Sequence, residues 1–335
     1  MEDPGQFRLT TRNDLVVAMP YIVGFTPTDS LLVVVLDDGW IRFTARLDLP
    51  QPSELEELAV PAAENATMMA EYGSAAFLVG YGPAERVEPA AALFATALTS
   101  AGVEVQQVLR VDDGRYWCLC GDIRCADGIA YDPAASMFPA EAVYRGIAPL
   151  PDRTALEHLI TPVTGPERDR MRATTFAALS RLAGMVADGT VSTAREDRQP
   201  PAHVVREGIA AVQQAYESAA RGQVLSDDDV GWLTAALMVL AVRDHAWITC
   251  DGSDAQRQLW IDVTRRAMPD LSAAPACLLA ITAYLAGDVA MANIAVDRAL
   301  LAEPDYRLAH LLGHALRAGV PPQVWQATTT GTTTN

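Results

Sequence analysis

The sequence contains no lysine, and the 25 residues that count as Lys or Arg are all arginines. A phosphate-binding loop of the Walker type and a lysine Schiff base both require a lysine, so the composition excludes these two kinds of site. Acidic residues number 42 and give a formal net charge of -17. Because an acidic chain without a cluster of arginines is repelled by a phosphate backbone, nucleic-acid binding is disfavoured.

Cysteine and long hydrophobic runs are also scarce. The chain has 5 cysteines, and the odd number argues against a disulfide framework. The two longest apolar runs, Gly231 to Val242 and Ala273 to Gly287, are shorter than the ~20 residues that a membrane-spanning helix needs. The first residues, MEDPGQFRLTTRND, have no apolar core behind a basic start, so we expect no signal peptide. These absences predict a cytoplasmic protein that does not associate with membranes.

The pattern of the first 120 residues indicates an α/β domain. The run Leu31 to Leu36 is continuously apolar, as in a strand that is covered on both faces. Asp38-Gly39 and Asp113-Gly114 are typical of hairpin turns, and the stretches between these two hairpins alternate helix, strand and helix. For residues 1–120 we therefore predict a mixed, partly parallel sheet in a three-layer α/β domain.

The remainder of the chain has a different pattern. Residues 121–151 lose their periodicity and gather Gly, Pro and Asp, which predicts an irregular connection. Residues 152–320 follow a helical period throughout and predict an all-α domain, and the low-complexity residues 321–335 predict a disordered tail. The Ala-rich helices between Ser272 and Ala318 resemble tetratricopeptide-like helix pairs, although they cover only about one repeat of the ~34-residue period.

A ligand site in the α/β domain is expected where its strands end. In open α/β sheets, crevices form at the carboxyl ends of the strands. The segment VGYGPAE lies between a strand and a helix and begins like the phosphate-binding fingerprint G-x-G-x-x-G. The position of the third glycine in that fingerprint is taken by Glu85, which would repel a phosphate. The alternative to a ligand site is that the Asp and Gly residues of these loops serve only to form turns. The candidate ligand-binding residues are Arg46, Asp48, Gly80, Tyr81, Gly82 and Asp112.

Three clustered cysteines are weak candidates for a metal site. Cys118, Cys120 and Cys125 have the spacing C-x-C-x₄-C, whereas zinc sites use four ligands that are commonly arranged in pairs. The alternative is that they are small hydrophobic residues on an edge strand. The sequence identifies no metal and no cofactor beyond this cluster.

The helices after Ser272 predict an interaction surface. Ala276, Ala280, Ala283 and Ala286 form one stripe of a helix. A single helix pair cannot bury both of its faces, so it must stack on the earlier helices of the chain, on a second chain or on a partner. If a groove for a partner remains, we expect aromatic and arginine side chains at its rim. The candidate interaction residues are Arg298, Asp305, Tyr306 and Arg307.

Several motifs, taken in order, resemble one protein family. They are GFTPTDSLLVVVL, RFTARLDLP, DDGRYWCLCGDIRC, VRDHA and RALLAEPDYRLAHLLGHALRAGVPP. Their order is similar to that of an actinobacterial family catalogued as domain of unknown function 4192. The resemblance implies a cytosolic protein from a lineage with GC-rich DNA, and it supplies no catalytic residues.

Together, these patterns favour a non-enzymatic, cytosolic interaction or adaptor protein that uses its C-terminal helical domain. We expect a protein partner or self-association. The alternative is a sensor or enzyme for a small ligand, such as a nucleotide or an anion, with its site at the carboxyl ends of the N-terminal strands. A DNA-associated regulator is a third hypothesis, against which the net charge of -17 argues.

Overall fold

The computed structural model describes residues 11–120, 127–144, 148–188, 200–318 and 320. The chain divides into two compact units, Met1–Ala155 and Leu156–Asn335. The first unit combines a sheet with helices, and the elements of the second unit are all helices in its described residues. The change of periodicity along the sequence predicted this order of an α/β part followed by helices.

The first unit contains six strands among its described residues, and they form a single sheet. The elements in chain order are α1 (Arg12–Val23), β1 (Ser30–Asp37), β2 (Trp40–Asp48), α2 (Ala59–Met69), β3 (Ala75–Tyr81), α3 (Ala84–Ser100), β4 (Glu104–Asp112), β5 (Arg115–Cys118), β6 (Ile129–Ala130) and α4 (Phe138–Tyr144). A further short helix, α5 (Arg153–His158), spans the division between the units.

The sheet is mixed, with the strand order β2-β1-β3-β4-β5-β6. Strand β1 is antiparallel to both of its neighbours, β2 and β3, while β3 and β4 are parallel. Strands β2, β3 and β4 therefore run in the same direction, with β1 inserted between the first two. Their carboxyl ends consequently lie at the same edge of the sheet, where crevices form in open α/β sheets.

Helices cover both faces of this sheet and make it the middle of three layers. Leu31, Val33 and Val35 of β1 pack on one side with residues of α2 and α3. Leu32 and Val34 pack on the other side with residues of α1 and α4. Every second residue of a strand points to the same face of the sheet. The uninterrupted apolar run of β1 therefore contributes side chains to the hydrophobic cores on both faces.

The two predicted hairpin turns are present. At the first, Asp38 and Gly39 have φ angles of 51° and 80°, and at the second Asp113 and Gly114 have 43° and 71°. Two consecutive positive φ angles are the geometry of the tight turn whose twist matches that of the flanking strands, which Asp-Gly adopts readily. These turns join β1 to β2 and β4 to β5.

The segment expected to be an irregular connection contributes to the first unit instead. Strand β6 pairs with β5, and Leu150 forms a bridge with Phe25. Phe138 and Ala142 of α4 are buried in the same core as α1. Helix α4 was not predicted, because a short helix with two buried apolar residues has too few turns to show a clear helical period in the sequence.

The second unit consists of eight longer helices in its described residues. They are α6 (Gly165–Asp188), α7 (Ala202–Ala220), α8 (Asp227–Ala236), α9 (Leu240–Ile248), α10 (Asp254–Arg266), α11 (Ala273–Leu285), α12 (Val289–Ala302) and α13 (Arg307–Arg317). The apolar run after Gly231 is not one helix, because α8 ends at Ala236 and Val239 has an extended backbone before α9 begins. The predicted disordered tail, 321–335, lies outside the described residues.

The last helices bury their small residues inside the unit. Ala276, Ala280 and Ala283 of α11 are almost fully buried, and so are Leu308 and Leu312 of α13. Helix α11 packs on α12, and α13 packs on both of them. These three alanines of the predicted stripe are therefore covered by the chain itself, whereas Ala286 follows the end of α11 and is exposed. The tetratricopeptide-like character of the pair remains a prediction.

Candidate functional site

The strand ends that were predicted to hold a ligand lie side by side at one edge of the sheet. Across the strands, Asp48 pairs with Ser30, Ser30 with Tyr81, and Tyr81 with Val111. This places the ends of β2, β3 and β4 in a single row.

The candidate side chains of this row are nevertheless divided between the two faces of the sheet. Arg46 pairs with Leu32, whose side chain belongs to the core under α1. Gly80 pairs with Arg110, and the Cβ of an alanine at position 80 would meet Val87 of α3 on the opposite face. Neighbouring strand residues alternate between faces, so a shared edge does not by itself assemble one site.

Arg46 and Asp48 form an ion pair at the outer strand. The Nη2 atom of Arg46 lies 2.7 Å from Oδ1 of Asp48, and its guanidinium carbon lies 5.7 Å from the centre of the Phe25 ring. The Arg46 side chain is only 16% exposed, and its Nε atom is buried without a hydrogen-bond partner. This nitrogen is an unused donor near the sheet edge.

Arg110 and Asp112 repeat this arrangement at the end of β4. Nη1 of Arg110 lies 3.1 Å from Oδ2 of Asp112, and the guanidinium group stacks on Trp117 with its carbon 3.6 Å from the ring centre. Its Nε atom is also buried without a hydrogen-bond partner. The two arginines lie on opposite faces, because Arg110 pairs with Gly80 and Arg46 pairs with Leu32.

The loop around Gly82 is occupied by contacts within the chain. Arg86 donates a hydrogen bond of 2.6 Å to the carbonyl oxygen of Leu49 and forms an ion pair of 2.5 Å with Asp29. Gly82 has a φ of 139° and lies against the Leu49 side chain. Gly80 allows α3 to approach the sheet, because its missing Cβ would lie 2.3 Å from Val87. These contacts agree with the alternative interpretation of the segment as a tight turn.

Tyr81 is a core residue rather than an accessible ligand contact. Its hydroxyl donates a long hydrogen bond of 3.4 Å to the carbonyl oxygen of Val16 in α1. Burial raises the pKa of the Tyr81 hydroxyl far above its ordinary value, with a smaller contribution from Tyr131. The group therefore stays protonated at neutral pH.

An open groove of about 360 Å³ lies at the opposite edge of the sheet. It is lined by Asp37, Glu71, Tyr72 and Ser74, together with small residues at the end of α3. The Tyr72 ring stacks on Phe43 with 4.8 Å between ring centres. This groove coincides with none of the predicted ligand residues.

The cysteine candidates are only partly within the described residues. Cys118 is buried and Cys120 is exposed, while Cys125 lies outside the part of the chain that the structure describes. Burial raises the pKa of the Cys118 thiol to about 11, and a hydrogen bond with Cys120 adds to this effect. Among the described residues, no group of three or more His, Cys, Asp or Glu is placed to hold a metal ion.

The predicted interaction residues of the helical unit differ in their accessibility. Asp305 and Arg307 are exposed, whereas Tyr306 and Arg298 are half-buried. Burial and the neighbouring charge of Arg168 lower the pKa of Arg298, and its Nε atom has no hydrogen-bond partner. The four residues therefore do not form one continuous exposed rim.

Tyr306 is held by an arginine from α9. The guanidinium carbon of Arg243 lies 5.9 Å from the centre of the Tyr306 ring, and Arg243 also pairs with Asp244 at 2.7 Å. Burial alone would lower the pKa of Arg243, but the hydrogen bonds to Tyr306 and Asp244 raise it above its ordinary value. The VRDHA and EPDYR segments, whose contacting residues Arg243 and Tyr306 are 63 positions apart, thus meet in one cluster.

The outward face of α13 contains only one of the predicted interaction residues, Arg307. It consists of Arg307, His310, Leu311, His314 and Arg317, all of which are exposed. These positions recur at three- and four-residue steps and therefore share one side of the helix. The spacing of these five residues is visible in the sequence. It identifies an exposed surface only when the opposite side of the helix is known to be buried.

No helix among the described residues is long and apolar enough to cross a membrane. Comparison with the curated proteins and with the solved structures found no match. A family model, described as a domain of unknown function (DUF4192), matches residues 13–323. Since the match covers nearly the whole chain, the protein belongs to the domain of unknown function 4192 family.

Proposed function

We propose that the protein is a cytosolic interaction or adaptor protein and that its helical unit carries the docking surface. The observation that supports this most directly is the outward face of α13, defined above as Arg307, His310, Leu311, His314 and Arg317. Leu311 is 51% exposed in the middle of this face. An arginine-rich surface around an exposed aliphatic residue has the composition of a protein-binding site.

The apolar side of α13 has a different role. Leu308, Ala309, Leu312 and Leu316 are buried, so this side holds the helix to the rest of the unit. The outward face contributes nothing comparable to the core. A change there can therefore alter association without removing the contacts on which folding depends.

The test is native mass spectrometry of the tagged protein purified from the cells in which it occurs. We expect a bound partner chain or a second copy with the wild-type protein, and its loss with Arg307→Ala combined with Leu311→Ala. The control is Arg221→Ala combined with Val224→Ala, which likewise removes an arginine and an exposed aliphatic side chain from the helical unit. Retention of the partner by the α13 variant, or a wild-type protein without any bound chain, would contradict the proposal.

A small-ligand sensor or enzyme is the second candidate, and the unpartnered Nε atom of Arg46 is the observation that favours it. A bound metabolite in the same spectra would support this function. Replacing Arg46 by Met should then reduce retention of the metabolite while circular dichroism still shows a folded protein. Unchanged retention in this variant would exclude this edge of the sheet as the site.

A further inference from the structure

Helix α13 differs in charge from the chain to which it belongs. The chain has 42 acidic and 25 basic residues, but the segment from Arg307 to Arg317, RLAHLLGHALR, contains no acidic residue. Its outward face has two arginines and two histidines around Leu311. A local positive surface on a strongly negative protein attracts negative groups while the rest of the molecule repels them.

The two arginines of this face form no ion pair with another described residue, although the exposed Asp305 lies two positions before Arg307. The ion pairs found among the described residues include neither Arg307 nor Arg317, in contrast to Arg243, which pairs with Asp244 at 2.7 Å. His310 is fixed to the preceding loop, since its Nε2 atom donates a hydrogen bond of 2.7 Å to the carbonyl oxygen of Pro304. The guanidinium group of Arg317 lies near Gly313, where an added Cβ would come within 3.2 Å of its Nη1 atom.

We propose that the outward face of α13 binds an acidic, amphipathic segment of a partner protein. Carboxylates of the partner contact Arg307 and Arg317, and an apolar side chain covers Leu311. The two arginines are ten positions apart and therefore ~15 Å along the helix, about three turns of a docked helix. This inference rests on the proposed function and adds the chemistry of the partner.

Two features favour a protein segment over other anionic partners. A phosphate backbone offers no apolar group for Leu311, and the net charge of -17 opposes a long polyanion. A membrane-surface helix would need its apolar side for the lipid, but Leu308, Leu312 and Leu316 are buried inside the unit. Charge complementarity together with one central apolar contact is the chemistry of protein recognition.

The test measures fluorescence anisotropy of the full chain with a labelled helical peptide built from Glu and Leu. The control peptide has Gln in place of every Glu. We expect only the acidic peptide to bind, and raising the salt concentration should weaken its binding because the contacts are exposed ion pairs. Combining Arg307→Glu with Arg317→Glu should weaken binding by about tenfold or more, since attraction becomes repulsion.

A matched variant separates the local effect from the change in net charge. Arg172→Glu combined with Arg221→Glu changes the net charge by the same amount on two other exposed arginines of the helical unit. We expect this control to bind nearly as well as the wild type, and Leu311→Ser to bind less well with an unchanged dependence on salt. Thermal unfolding should be similar for all of these variants, because the substituted residues are exposed.

Several results would overturn the inference. They are equal loss of binding in the matched control, no binding of the acidic peptide, or preferential binding of duplex DNA or of vesicles with anionic lipids through the same face. If the native partner is lost from the α13 variant while the acidic peptide does not bind, the proposed function stands and only this inference fails. If the native partner is also retained, both fail.

Discussion

Arg266 at the end of α10 is the most constrained charge in the helical unit, and its removal should destabilise that unit. Its side chain is only 6% exposed. It forms an ion pair with Asp262, and its Nη1 atom lies 3.1 Å from Oδ1 of Asp227. Its Nη2 atom also donates a hydrogen bond of 3.0 Å to the carbonyl oxygen of Leu225. One guanidinium group thus joins α8, α10 and the segment before α8.

The expected magnitude follows from what each partner loses. Removing one member of a buried ion pair costs about 3–5 kcal/mol when the other charge stays buried. Asp227 and Asp262 are 29% and 31% exposed, so water can reach them after Arg266→Met. We therefore expect the free energy of unfolding to fall by the lower end of this range, about 3 kcal/mol. For a unit of this size, that corresponds to a decrease of about 6–12 °C in the unfolding temperature.

The assay is urea unfolding followed by tryptophan fluorescence and by helical circular dichroism. Trp260 lies in the same helix as Arg266 and is fully buried, so its emission reports on this unit. The control is Arg172→Met, because Arg172 is exposed and its ion pair with Asp169 is long, at 3.9 Å. We expect the control to change stability by less than about 0.5 kcal/mol.

A double-mutant cycle distinguishes a coupled network from independent contacts. Asp262→Asn and Arg266→Met should together cost less than the sum of the two single substitutions, because each single change leaves a partner unmatched. If Arg266→Met unfolds at the same urea concentration as the wild type, or if the two effects are additive, these residues do not form a network that stabilises the unit.

The same network predicts sensitivity to acid. The hydrogen bond from Arg170, followed by that from Arg266, lowers the pKa of Asp227 below its ordinary value. A depressed carboxyl pKa in the folded state contributes stability at pH values above the unfolded pKa of ~3.9. That contribution is lost as the pH falls from this value through the lower folded pKa. Asp227→Asn should therefore flatten the dependence of the urea midpoint on pH in this acidic window, and an unchanged slope would contradict the assignment.

Three further predictions concern the first unit. Gly80→Ala should destabilise it by about 1–3 kcal/mol, because the new Cβ overlaps Val87, and Val87→Ala should restore much of the loss in a thermal melt. Iodoacetamide at neutral pH should modify Cys120 before Cys118, whose raised pKa of about 11 keeps it protonated, as peptide mapping will show. Arg86→Met should lower the urea midpoint by removing charge-assisted hydrogen bonds worth about 1.5–3 kcal/mol, and an unchanged midpoint would refute this.

Local signals in the sequence were sufficient for the two hairpins and for the alternation of helix and strand between them, but not for β6 and α4. The Asp-Gly pairs predicted both hairpins because two residues with positive φ are what these turns require. The continuous apolar run of β1 predicted a strand that is covered on both faces, because both sets of alternating side chains are apolar. Neither signal contains the strand order, which depends on pairing between residues far apart in the chain. The insertion of β1 between β2 and β3 could therefore not be predicted.

The candidate ligand site shows a related limit. The strand ends were placed correctly at one edge, but the face to which each side chain points depends on the register between strands. Arg46 and Gly80 consequently lie on opposite faces. The end of α8 at Ala236 has no glycine or proline to indicate it in the sequence, although the backbone is extended at Val239 before α9 begins.

The arginines on the outward face of α13 differ from several other arginines of this chain in having no ion-pair partner among the described residues. Arg86, Arg243 and Arg266 combine ion pairs with contacts to carbonyl oxygens or an aromatic ring, for which a planar group with five donors is suited. In such positions the charge is satisfied inside the molecule. Arg307 and Arg317 have no ion pair in the part of the chain that the structure describes, although acidic residues outnumber basic ones. These two exposed charges are the ones on which the proposed acidic partner depends.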